Sequence, residues 1–401
     1  MLSNRGQKLV SSPSQIVEAH MRCFEDPYHE DHNSKGYINL GTAENYLVEN
    51  SLSRILCKFQ HSNTNYYHYQ YSYGTKSLRE KLASFISEHI SYKISEEELV
   101  LTSGCSAALE AVSHALFDEG DGVFILAPYY VGFRHDLSLR FGLELLEIPA
   151  FESSGPLISN EMLELAYRDA IEEGKKPKAF LFNNPHNPTG HVFNEQESKI
   201  IVDFCKKYEL EILADDIYAL SIHDCENYQP LWETAPEYSS HIHVFYGLAK
   251  DFGLSGFKVG AFFSKNKDLI SAMRGEAYFY TVSAAAQEML EYLLDQIDFD
   301  DFFKPYCQML SENYQLIKAF CERLQIPIYP SQGGFFTWVD LRKFRRDSAE
   351  DLFERIFENA KVSISPGDAF GSHIPDQFRI CFARERKVLE VALQRLEECL
   401  L

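Results

Sequence analysis

The feature that most constrains the fold is a regular alternation of short apolar runs with amphipathic segments, beginning near residue 75. Short buried strands alternating with amphipathic helices are typical of an α/β domain built on a largely parallel sheet. The apolar runs are ELVLTS, GVFILAP, LELLEIP, KAFLFNN, LEILADD, HIHVFYG and KVGAFF, and the segments between them include LREKLASFI, SAALEAVSHAL and ESKIIVDFCKKY.

The pattern changes after about residue 284. Two long helical segments follow, AAAQEMLEYLLDQI and FKPYCQMLSENYQLIKAFCERL, then strand-like runs around GGFFTWVDL and FRICFA, and then a last helix. This mixture is α+β in character. The sequence therefore predicts a large α/β domain over residues 50–290, and a smaller α+β domain formed jointly by residues 1–49 and 291–401.

Charge and hydropathy exclude several classes of protein. The 401 residues include 38 Lys and Arg against 59 Asp and Glu, a net charge of −21 that would repel nucleic acid and anionic membranes. No apolar stretch reaches the roughly 18 residues of a membrane span, and the N-terminus is too polar for a secretory signal. We expect a cytoplasmic protein. A mitochondrial presequence stays open, because Arg5 and Lys8 occur without early acidic residues.

The cysteines suggest neither a disulfide framework nor a metal site. There are nine of them, and none forms a CxxC pair. We therefore expect reduced thiols and no bound metal.

Unusual residues follow several of the predicted strands. In open α/β sheets, ligands bind beyond the carboxyl ends of the strands, where the connecting loops meet. The first such loop, Thr102-Ser103-Gly104-Cys105-Ser106, lies between a strand and a helix. The free backbone N–H groups of a helix start would bind an anion there, although Ser at a helix start is also a common N-cap.

Two further loops carry polar side chains to the same edge. The loop from Asn184 to Gly190 contains two Asn-Pro pairs, which fix a rigid turn with side-chain amides directed at a ligand. The run LEILADDIY ends a predicted buried strand with Asp215, Asp216 and Tyr218. A carboxylate leaving an apolar strand needs a cationic partner, and a protonated ring nitrogen of a ligand would supply one.

A lysine is the last of the candidate site residues. Lys250 lies between two apolar runs, in a stretch that also contains Gly253, Gly256 and Lys258. Most lysines are solvated surface charges, but glycines around this one permit close approach to a ligand. A desolvated lysine with a lowered pKa is a nucleophile for Schiff-base chemistry.

Taken together, these motifs resemble the fold type I pyridoxal 5′-phosphate enzymes of aminotransferase class I/II, and within them the branch that resembles 1-aminocyclopropane-1-carboxylate (ACC) synthase. The resemblance runs from about residue 37 to 383. It implies a large α/β domain with a mostly parallel, mixed seven-stranded sheet, a smaller α+β domain, and pyridoxal 5′-phosphate as cofactor. The branch is indicated by NLGTAEN (39–45), PYYVGF (128–133), KDFGLSG (250–256) and FRICFA (378–383).

The resemblance also implies catalytic roles. Lys250 would bond covalently to the cofactor and then move a proton between the substrate's α-carbon and the cofactor. Asp215 would pair with the protonated pyridine nitrogen, which keeps the ring an electron sink. Tyr218 and Asn187 would hydrogen-bond the cofactor's phenolic oxygen, and Tyr130 would stack on its ring.

Phosphate and substrate contacts follow from the same resemblance. Backbone N–H groups of Gly104, Cys105 and Ser106 would hold the phosphate, helped by Lys258 and by Tyr69 of a partner subunit, which implies a homodimer. Substrate contacts are implied for Arg379, which would bind the α-carboxylate in a bidentate manner, for Asn187, and for the segment Gly41, Thr42, Ala43 and Glu44.

Three positions depart from the family pattern. Lys258 stands where most members have Arg, and Gly247 stands where a phosphate-binding Ser is usual. Ser72 replaces a Tyr that plant ACC synthases carry. The tyrosines at 66, 67, 69, 71 and 73 are alternatively interface packing residues, and which of them reaches a partner's site is open.

The leading functional prediction is transamination of an L-amino acid to a keto acid. The alternative is an ACC synthase-like elimination or cyclisation on S-adenosylmethionine or a related amino acid. A catalytically silent binding protein is disfavoured, because the sequence retains Lys250, Asp215, Tyr218, Asn187 and Arg379 together. The substrate side chain is left open, since Arg79, Arg134 or Arg384 could approach an acidic substrate.

Overall fold

The structure, a computed structural model, describes residues 2–3, 6–7, 15–60, 67–152, 155–224, 228–347 and 351–401. The α-helices in these ranges are α1 Gln15–Glu25, α2 Glu49–Leu56, α3 Lys76–His89, α4 Cys105–Leu116, α5 Asn160–Glu172, α6 Glu195–Lys207, α7 Leu231–Thr234, α8 Lys267–Glu276, α9 Ala284–Gln296, α10 Phe299–Arg323, α11 Leu352–Arg355 and α12 Arg386–Leu400. The strands are β1 Ile38–Asn39, β2 Leu99–Thr102, β3 Asp121–Ala127, β4 Glu144–Pro149, β5 Phe151–Glu152, β6 Gly155–Pro156, β7 Lys176–Asn183, β8 Glu211–Asp215, β9 Ile242–Gly247, β10 Gly260–Ser264, β11 Phe336–Asp340, β12 Val362–Ser363, β13 Ser365–Pro366 and β14 Gln377–Cys381.

The central element is a seven-stranded sheet in the order β2-β10-β9-β8-β7-β3-β4. β10 is antiparallel to both of its neighbours, and the other pairs are parallel. The predicted α/β architecture with a mostly parallel, mixed seven-stranded sheet is confirmed.

Both faces of this sheet are buried, which explains why its strands read as continuous apolar runs. Along β3, Phe124 and Leu126 pack into one hydrophobic cluster, whereas Val123 and Ile125 pack into another on the opposite face. Successive side chains of a strand point to opposite faces, so helices must cover both sides.

A second sheet lies in the C-terminal part of the chain. Its order is β11-β14-β13, and its pairs are antiparallel. The N-terminal segment joins it: β1 pairs with β12, and Leu40 both donates to the carbonyl of Ser363 and accepts from the amide of Cys381. These bonds favour the predicted grouping of residues 1–49 with 291–401, whose boundaries remain a prediction.

The direction of the strands places the functional loops. Strands β2, β3, β7, β8 and β9 run parallel to one another, and their carboxyl ends meet at one edge of the large sheet. Because β10 runs in the opposite direction, Lys258, just before it, lies at this edge as well. None of the helices in the described ranges is long and apolar enough to cross a membrane.

Candidate active site

A cavity of about 170 Å³ opens at the carboxyl edge of the large sheet. It contains side chains from five separate loops, as parallel strand ends require. Nine of the predicted cofactor-binding residues line it: Gly104, Cys105, Ser106, Tyr130, Asn187, Asp215, Tyr218, Lys250 and Lys258.

The predicted phosphate loop lies between β2 and α4. Gly104 has a φ of +108°, which favours glycine, and its amide donates to the carbonyl of Thr102 at 2.7 Å. Because that bond engages the Gly104 amide, the first two amides of α4, those of Cys105 and Ser106, are the better anion donors.

Lys258 is directed at this loop. Its backbone is left-handed, with a φ of +54°. Its Nζ lies 3.5 Å from the point where a Cβ on Gly104 would stand. The placement suits the predicted role of Lys258 as a phosphate cation, because an ammonium group acts as a point charge and needs no planar geometry.

Gly247 and Cys105 are matched in volume. The Cys105 thiol donates to the carbonyl of Tyr246 at 3.0 Å, and a Cβ on Gly247 would lie only 2.8 Å from its sulfur. The thiol therefore fills the space that a serine at position 247 would need. Gly247, one of the departures from the family pattern, is thus physically linked to Cys105 of the phosphate loop.

Asp215 ends β8 and has a free oxygen. Asn183, its register partner, donates to Asp215 Oδ2 at 3.1 Å and to the Asp215 carbonyl at 2.9 Å. Oδ1 is buried and has no hydrogen-bond partner among the described residues. Burial, and then the charge of Asp216, raise the pKa of Asp215 to about 7. A buried carboxylate with an unfilled acceptor fits a protonated ring nitrogen.

Aromatic rings define two walls of the cavity. Tyr130 packs edge-on against Phe133, and a Cβ on Gly132 would lie 2.3 Å from its ring, so a larger residue at 132 would displace the Tyr130 ring. The ring of Tyr218 is held edge-on by Phe335 and Phe336 from the second sheet. Burial raises the pKa of Tyr218 well above its usual value, so its phenol stays protonated and can donate.

Lys250 has the environment of a nucleophilic amine. Its Nζ donates to the carbonyl of Ala43 at 2.7 Å, and Asn45 holds its backbone carbonyl through a 3.0 Å hydrogen bond. Burial, followed by the positive charge of Arg379, lowers the pKa of Lys250 to about 8. A substantial fraction of the amine is then neutral near physiological pH.

Arg379 lies on β14 and reaches the same cavity wall. It donates to Asn187 Oδ1 at 2.9 Å and to the carbonyl of Gly41 at 2.5 Å. Only 4% of its surface is exposed, and its Nε has no partner among the described residues. A buried guanidinium with a spare donor is suited to a carboxylate.

The segment Gly41, Thr42, Ala43 and Glu44 lies between Lys250 and Arg379. Asn39 Oδ1 accepts from the amides of Gly41 and Thr42, and fixes their course. Glu44 accepts from Tyr46 at 2.8 Å and from Ser255 at 3.3 Å. The structure thus places the predicted substrate segment against Arg379 and against Lys250, which lines the cavity, whereas none of its four residues is among the lining residues.

Some predicted residues are not brought there. Tyr69 is fully exposed and lies outside the cavity of its own chain, and Tyr66 lies outside the described residues. Arg79 donates to the carbonyl of Gly74, and Arg134 pairs with Glu147, so neither faces the cavity. The expectation that these two arginines could approach an acidic substrate has no support within one chain.

Two residues of the site were not predicted from the sequence, Asn183 and Asp136. Asn183 orients both Asp215 and, by accepting from its amide at 2.7 Å, Asn187. Its place directly before the Asn184–Gly190 loop was a usable signal. Asp136 also lines the cavity and accepts from Ser106 at 3.1 Å, but no motif surrounds it in the sequence.

Comparison with known proteins agrees with this geometry. Residues 35–396 match the model of the family described as aminotransferase class I and II. The chain belongs to this family. Its members are pyridoxal 5′-phosphate-dependent enzymes, and so is this protein.

Individual relatives indicate a branch within this family. The chain is 31% identical to 1-aminocyclopropane-1-carboxylate synthase 6 of Oryza sativa subsp. japonica, over 98% of this chain and 78% of the relative. It is 30% identical to 1-aminocyclopropane-1-carboxylate synthase 2 of Arabidopsis thaliana, over 93% and 80%. The resemblance to ACC synthases is thereby confirmed.

Solved structures share the fold. An aspartate aminotransferase from Thermus thermophilus with maleate superposes with a TM-score of 0.80 at 22% identity, over 100% of this chain and 99% of that one. An N-succinyldiaminopimelate aminotransferase from Mycobacterium tuberculosis superposes with a TM-score of 0.83 at 19% identity, over 100% of both chains.

The residues present fit the cofactor. The unfilled Asp215 Oδ1 matches a protonated ring nitrogen, Tyr130 offers a ring face, and the amides of α4 with Lys258 match a phosphate. Lys250 is the buried amine within reach of the same cavity.

Proposed function

We propose that this enzyme transfers the α-amino group of an L-amino acid to its cofactor and releases the corresponding keto acid. The observation that carries the proposal is the pair of bonds from Lys250 to the Ala43 carbonyl and from Arg379 to the Gly41 carbonyl. These acceptors are two residues apart, so the amine and the guanidinium are held on one short segment. An α-amino acid carries the two groups that this amine and this guanidinium would meet, an amino group that would replace Lys250 and a carboxylate that would bind Arg379.

In this reaction the residues of the site would have the following roles. Lys250 would hold the cofactor through its Nζ, and the same Nζ, when free and neutral, would accept the proton from the substrate's α-carbon and release it again on the cofactor side. Arg379 binds the substrate carboxylate. When bound, pyridoxal 5′-phosphate supplies the aldehyde and the ring that accepts the electron pair released at the α-carbon. Asp215 stabilises the protonated ring nitrogen, and Tyr218 and Asn187 hydrogen-bond the phenolic oxygen.

The proposal is tested by the first half of a transamination, in which the amino acid donates its amino group and no acceptor is present. The cofactor-loaded enzyme is mixed with single amino acids, without any keto acid, and the cofactor is released with acid and separated by chromatography. We expect one equivalent of pyridoxamine 5′-phosphate and one of keto acid per active site. Lys250→Ala should form neither at a measurable rate. Complete recovery of pyridoxal 5′-phosphate with every amino acid would contradict transamination.

An ACC synthase-like elimination or cyclisation is the second candidate, and the identity to plant ACC synthases favours it. Ser72, where those enzymes carry Tyr, counts against it. Incubation with S-adenosylmethionine distinguishes the two. Consumption of S-adenosylmethionine over many turnovers, with the cofactor unchanged, would make this candidate the function.

We also propose a homodimer in which Tyr69 of one subunit completes the cavity of the other. Large aromatic side chains near the phosphate loop are exposed in the single chain, and such surfaces mark interfaces. They are Tyr67, Tyr69, Tyr71, Tyr278 and Phe279. Cytoplasmic location and the absence of nucleic-acid and membrane partners remain predictions from the sequence.

A further inference from the structure

The phosphate end of the cavity contains a carboxyl group that the proposed function does not use. Asp136 lies on the π-helical turn Arg134–Leu139, and its Oδ2 accepts from the Ser106 hydroxyl at 3.1 Å. Ser106 is the second residue of α4, so this carboxyl lies beside the amides that would hold the phosphate. A carboxylate is an unexpected neighbour for a phosphate dianion, because the two repel each other.

The charged residues that line the cavity also argue against an ionised Asp136 beside the phosphate. Of its described lining residues, two are cationic and two are acidic. Lys250 and Asp215 are assigned to the aldehyde and the ring nitrogen, which leaves Lys258 and Asp136 at the phosphate end. With Asp136 ionised, the charges of these two side chains cancel, and the attraction of the dianion is left to the amides of Cys105 and Ser106. With Asp136 protonated, one positive charge remains, and the carboxyl can donate a hydrogen bond to a phosphate oxygen.

We infer that Asp136 binds the cofactor phosphate as a protonated carboxyl group, so that the enzyme takes up one proton at this residue when the cofactor binds. The inference rests on the proposed function and on the placement of the cofactor phosphate at the amides of Cys105 and Ser106. Asp136 is thereby a positioning residue for the cofactor, and it makes cofactor affinity depend on pH.

Other charged groups face Asp136 from the neighbouring elements. Burial has the largest effect and raises the pKa of Asp136 to about 6, while the Ser106 hydrogen bond lowers it. Glu110 of α4 raises the pKa, and Lys258 lowers it. A phosphate dianion beside the carboxyl adds negative charge, as Glu110 does, and so raises the pKa of Asp136 further. Near neutral pH the carboxyl is therefore ionised in the cofactor-free protein and protonated in the complex.

Several groups respond to Asp136 in turn. Its charge raises the pKa values of Asp215, Cys105 and Tyr130. On its own turn, Arg134 pairs with Glu147, and Arg140 pairs with Glu110 at 2.5 Å. Because these two arginines pair with Glu147 and Glu110, neither forms an ion pair with Asp136.

Calorimetric titration with pyridoxamine 5′-phosphate tests the inference without relying on activity. This ligand keeps the phosphate but forms no bond to Lys250. Titration at pH 8 in two buffers of different ionisation enthalpy counts the protons taken up. We expect the unmodified protein to take up nearly one proton more than Asp136→Asn. Its affinity should fall about five- to tenfold between pH 7 and pH 8 relative to that variant. Glu110→Gln is the matched control and should retain the extra proton.

Each other outcome overturns the inference. Equal proton uptake in the unmodified protein and Asp136→Asn would do so, as would loss of the extra proton in Glu110→Gln alone. Failure of the unmodified protein to bind pyridoxamine 5′-phosphate would remove the proposed cofactor placement as well, which distinguishes the two failures.

Phosphorus NMR of the unmodified complex makes the test independent of whether Asp136→Asn folds. If Asp136 carries the proton, the bound phosphate gives the dianion resonance from pH 6.5 to 8.5. A monoanion resonance at pH 7 would place the proton on the phosphate and overturn the inference.

Discussion

At the scale of single residues, the site depends on polar groups that the protein leaves incompletely satisfied. Asp215 Oδ1 and Arg379 Nε are both buried without partners in the described chain. Buried polar groups are normally hydrogen-bonded, because an unpaired one costs free energy. These two atoms lie where the ring nitrogen and the substrate carboxylate are expected under the proposed function, so binding would supply their partners. Other such atoms, among them Ser198 Oγ and Tyr329 Oη, belong to residues that do not line the cavity.

Asp215→Asn should change the pH dependence of stability. The pKa of Asp215 is raised to about 7 in the cofactor-free protein. The folded state therefore holds its proton more tightly than the unfolded chain does, and stability falls as pH rises from about 4 to 7. We expect the unmodified protein to lose about 2 kcal/mol more than the variant between pH 5 and pH 7.5. Urea unfolding of both cofactor-free proteins measures this. Asp203→Asn, at an exposed ion pair, is the control. Identical pH profiles would argue against an unpaired carboxylate.

Gly247 and Cys105 should behave as a coupled pair. Gly247→Ser alone forces the new Cβ to within 2.8 Å of the thiol, so we expect at least tenfold weaker cofactor binding. Cys105→Ala removes the nearer obstacle and leaves the backbone carbonyl of Val259 at 3.3 Å from the new Cβ. The double variant should therefore recover most of the lost affinity, because the serine adds a phosphate donor. Cofactor titrations of the four proteins form a double-mutant cycle. Additive effects would show that the two positions are independent.

At the scale of elements, the segment from Asn39 to Tyr46 connects the two halves of the site. Ser365 donates to the Gly41 carbonyl at 2.7 Å on the side of the second sheet. Asn45 donates to the carbonyls of Lys250 and Asp251 at 3.0 and 3.3 Å on the side of the large sheet. The segment has no regular secondary structure over most of its length, so its backbone and side-chain polar groups need partners elsewhere. The second sheet supplies them at one end and the large sheet at the other, and the segment thereby links the two sheets.

Asn45→Ala should weaken both the fold and the cofactor site. The change removes the side-chain donor of the Asp251 carbonyl and one of two donors of the Lys250 carbonyl, which keeps the amide of Gly253 at 3.1 Å. We expect a cost of about 1–3 kcal/mol. Since one of these carbonyls belongs to Lys250, we also expect several-fold weaker cofactor binding. Asn266→Ala, which removes the N-cap of α8, is the control and should cost about 1 kcal/mol of stability without affecting the cofactor. Thermal unfolding and cofactor titration of both variants measure this, and equal cofactor affinity in the two would refute the link.

At the scale of the whole molecule, the exposed aromatic residues near the phosphate loop suggest how two copies associate. Tyr278 and Phe279 are about three-quarters exposed, and the neighbouring Tyr280 accepts from the amide of Ser103. The proposed interface is thus continuous with the loop that begins the cofactor site. Association and cofactor binding should therefore depend on each other.

Replacement of Tyr278 and Phe279 by Ser should dissociate the proposed dimer. Truncation of aromatic residues at the centre of an interface commonly costs 2 kcal/mol or more, so we expect the dimer dissociation constant to rise at least about tenfold. Cofactor binding should weaken in parallel. Sedimentation equilibrium measures the association. Leu165→Ser, on α5, serves as the control for an exposed apolar residue. A monomeric unmodified protein would contradict the homodimer.

The fold and most of the site could be predicted because both depend on local patterns. Apolar runs such as GVFILAP become strands buried on both faces, and parallel strands place the residues after them at one edge. Lys250, Asp215 and Asn187 follow three such strands, so their meeting in one cavity was predictable. Asp136 was not, because its turn carries no periodic signal and it reaches Ser106 only across the cavity.

The sequence by itself determined the α/β architecture, the family and the loops that form the site, since hydrophobic periodicity and loop motifs are local properties of the chain. Only the tertiary structure decided which groups are buried without partners, that Cys105 fills the space beside Gly247, and that Asp136 lies at the phosphate end. The physical reason is that burial, pKa and steric fit depend on neighbours distant in sequence, and these are set only when the chain has packed.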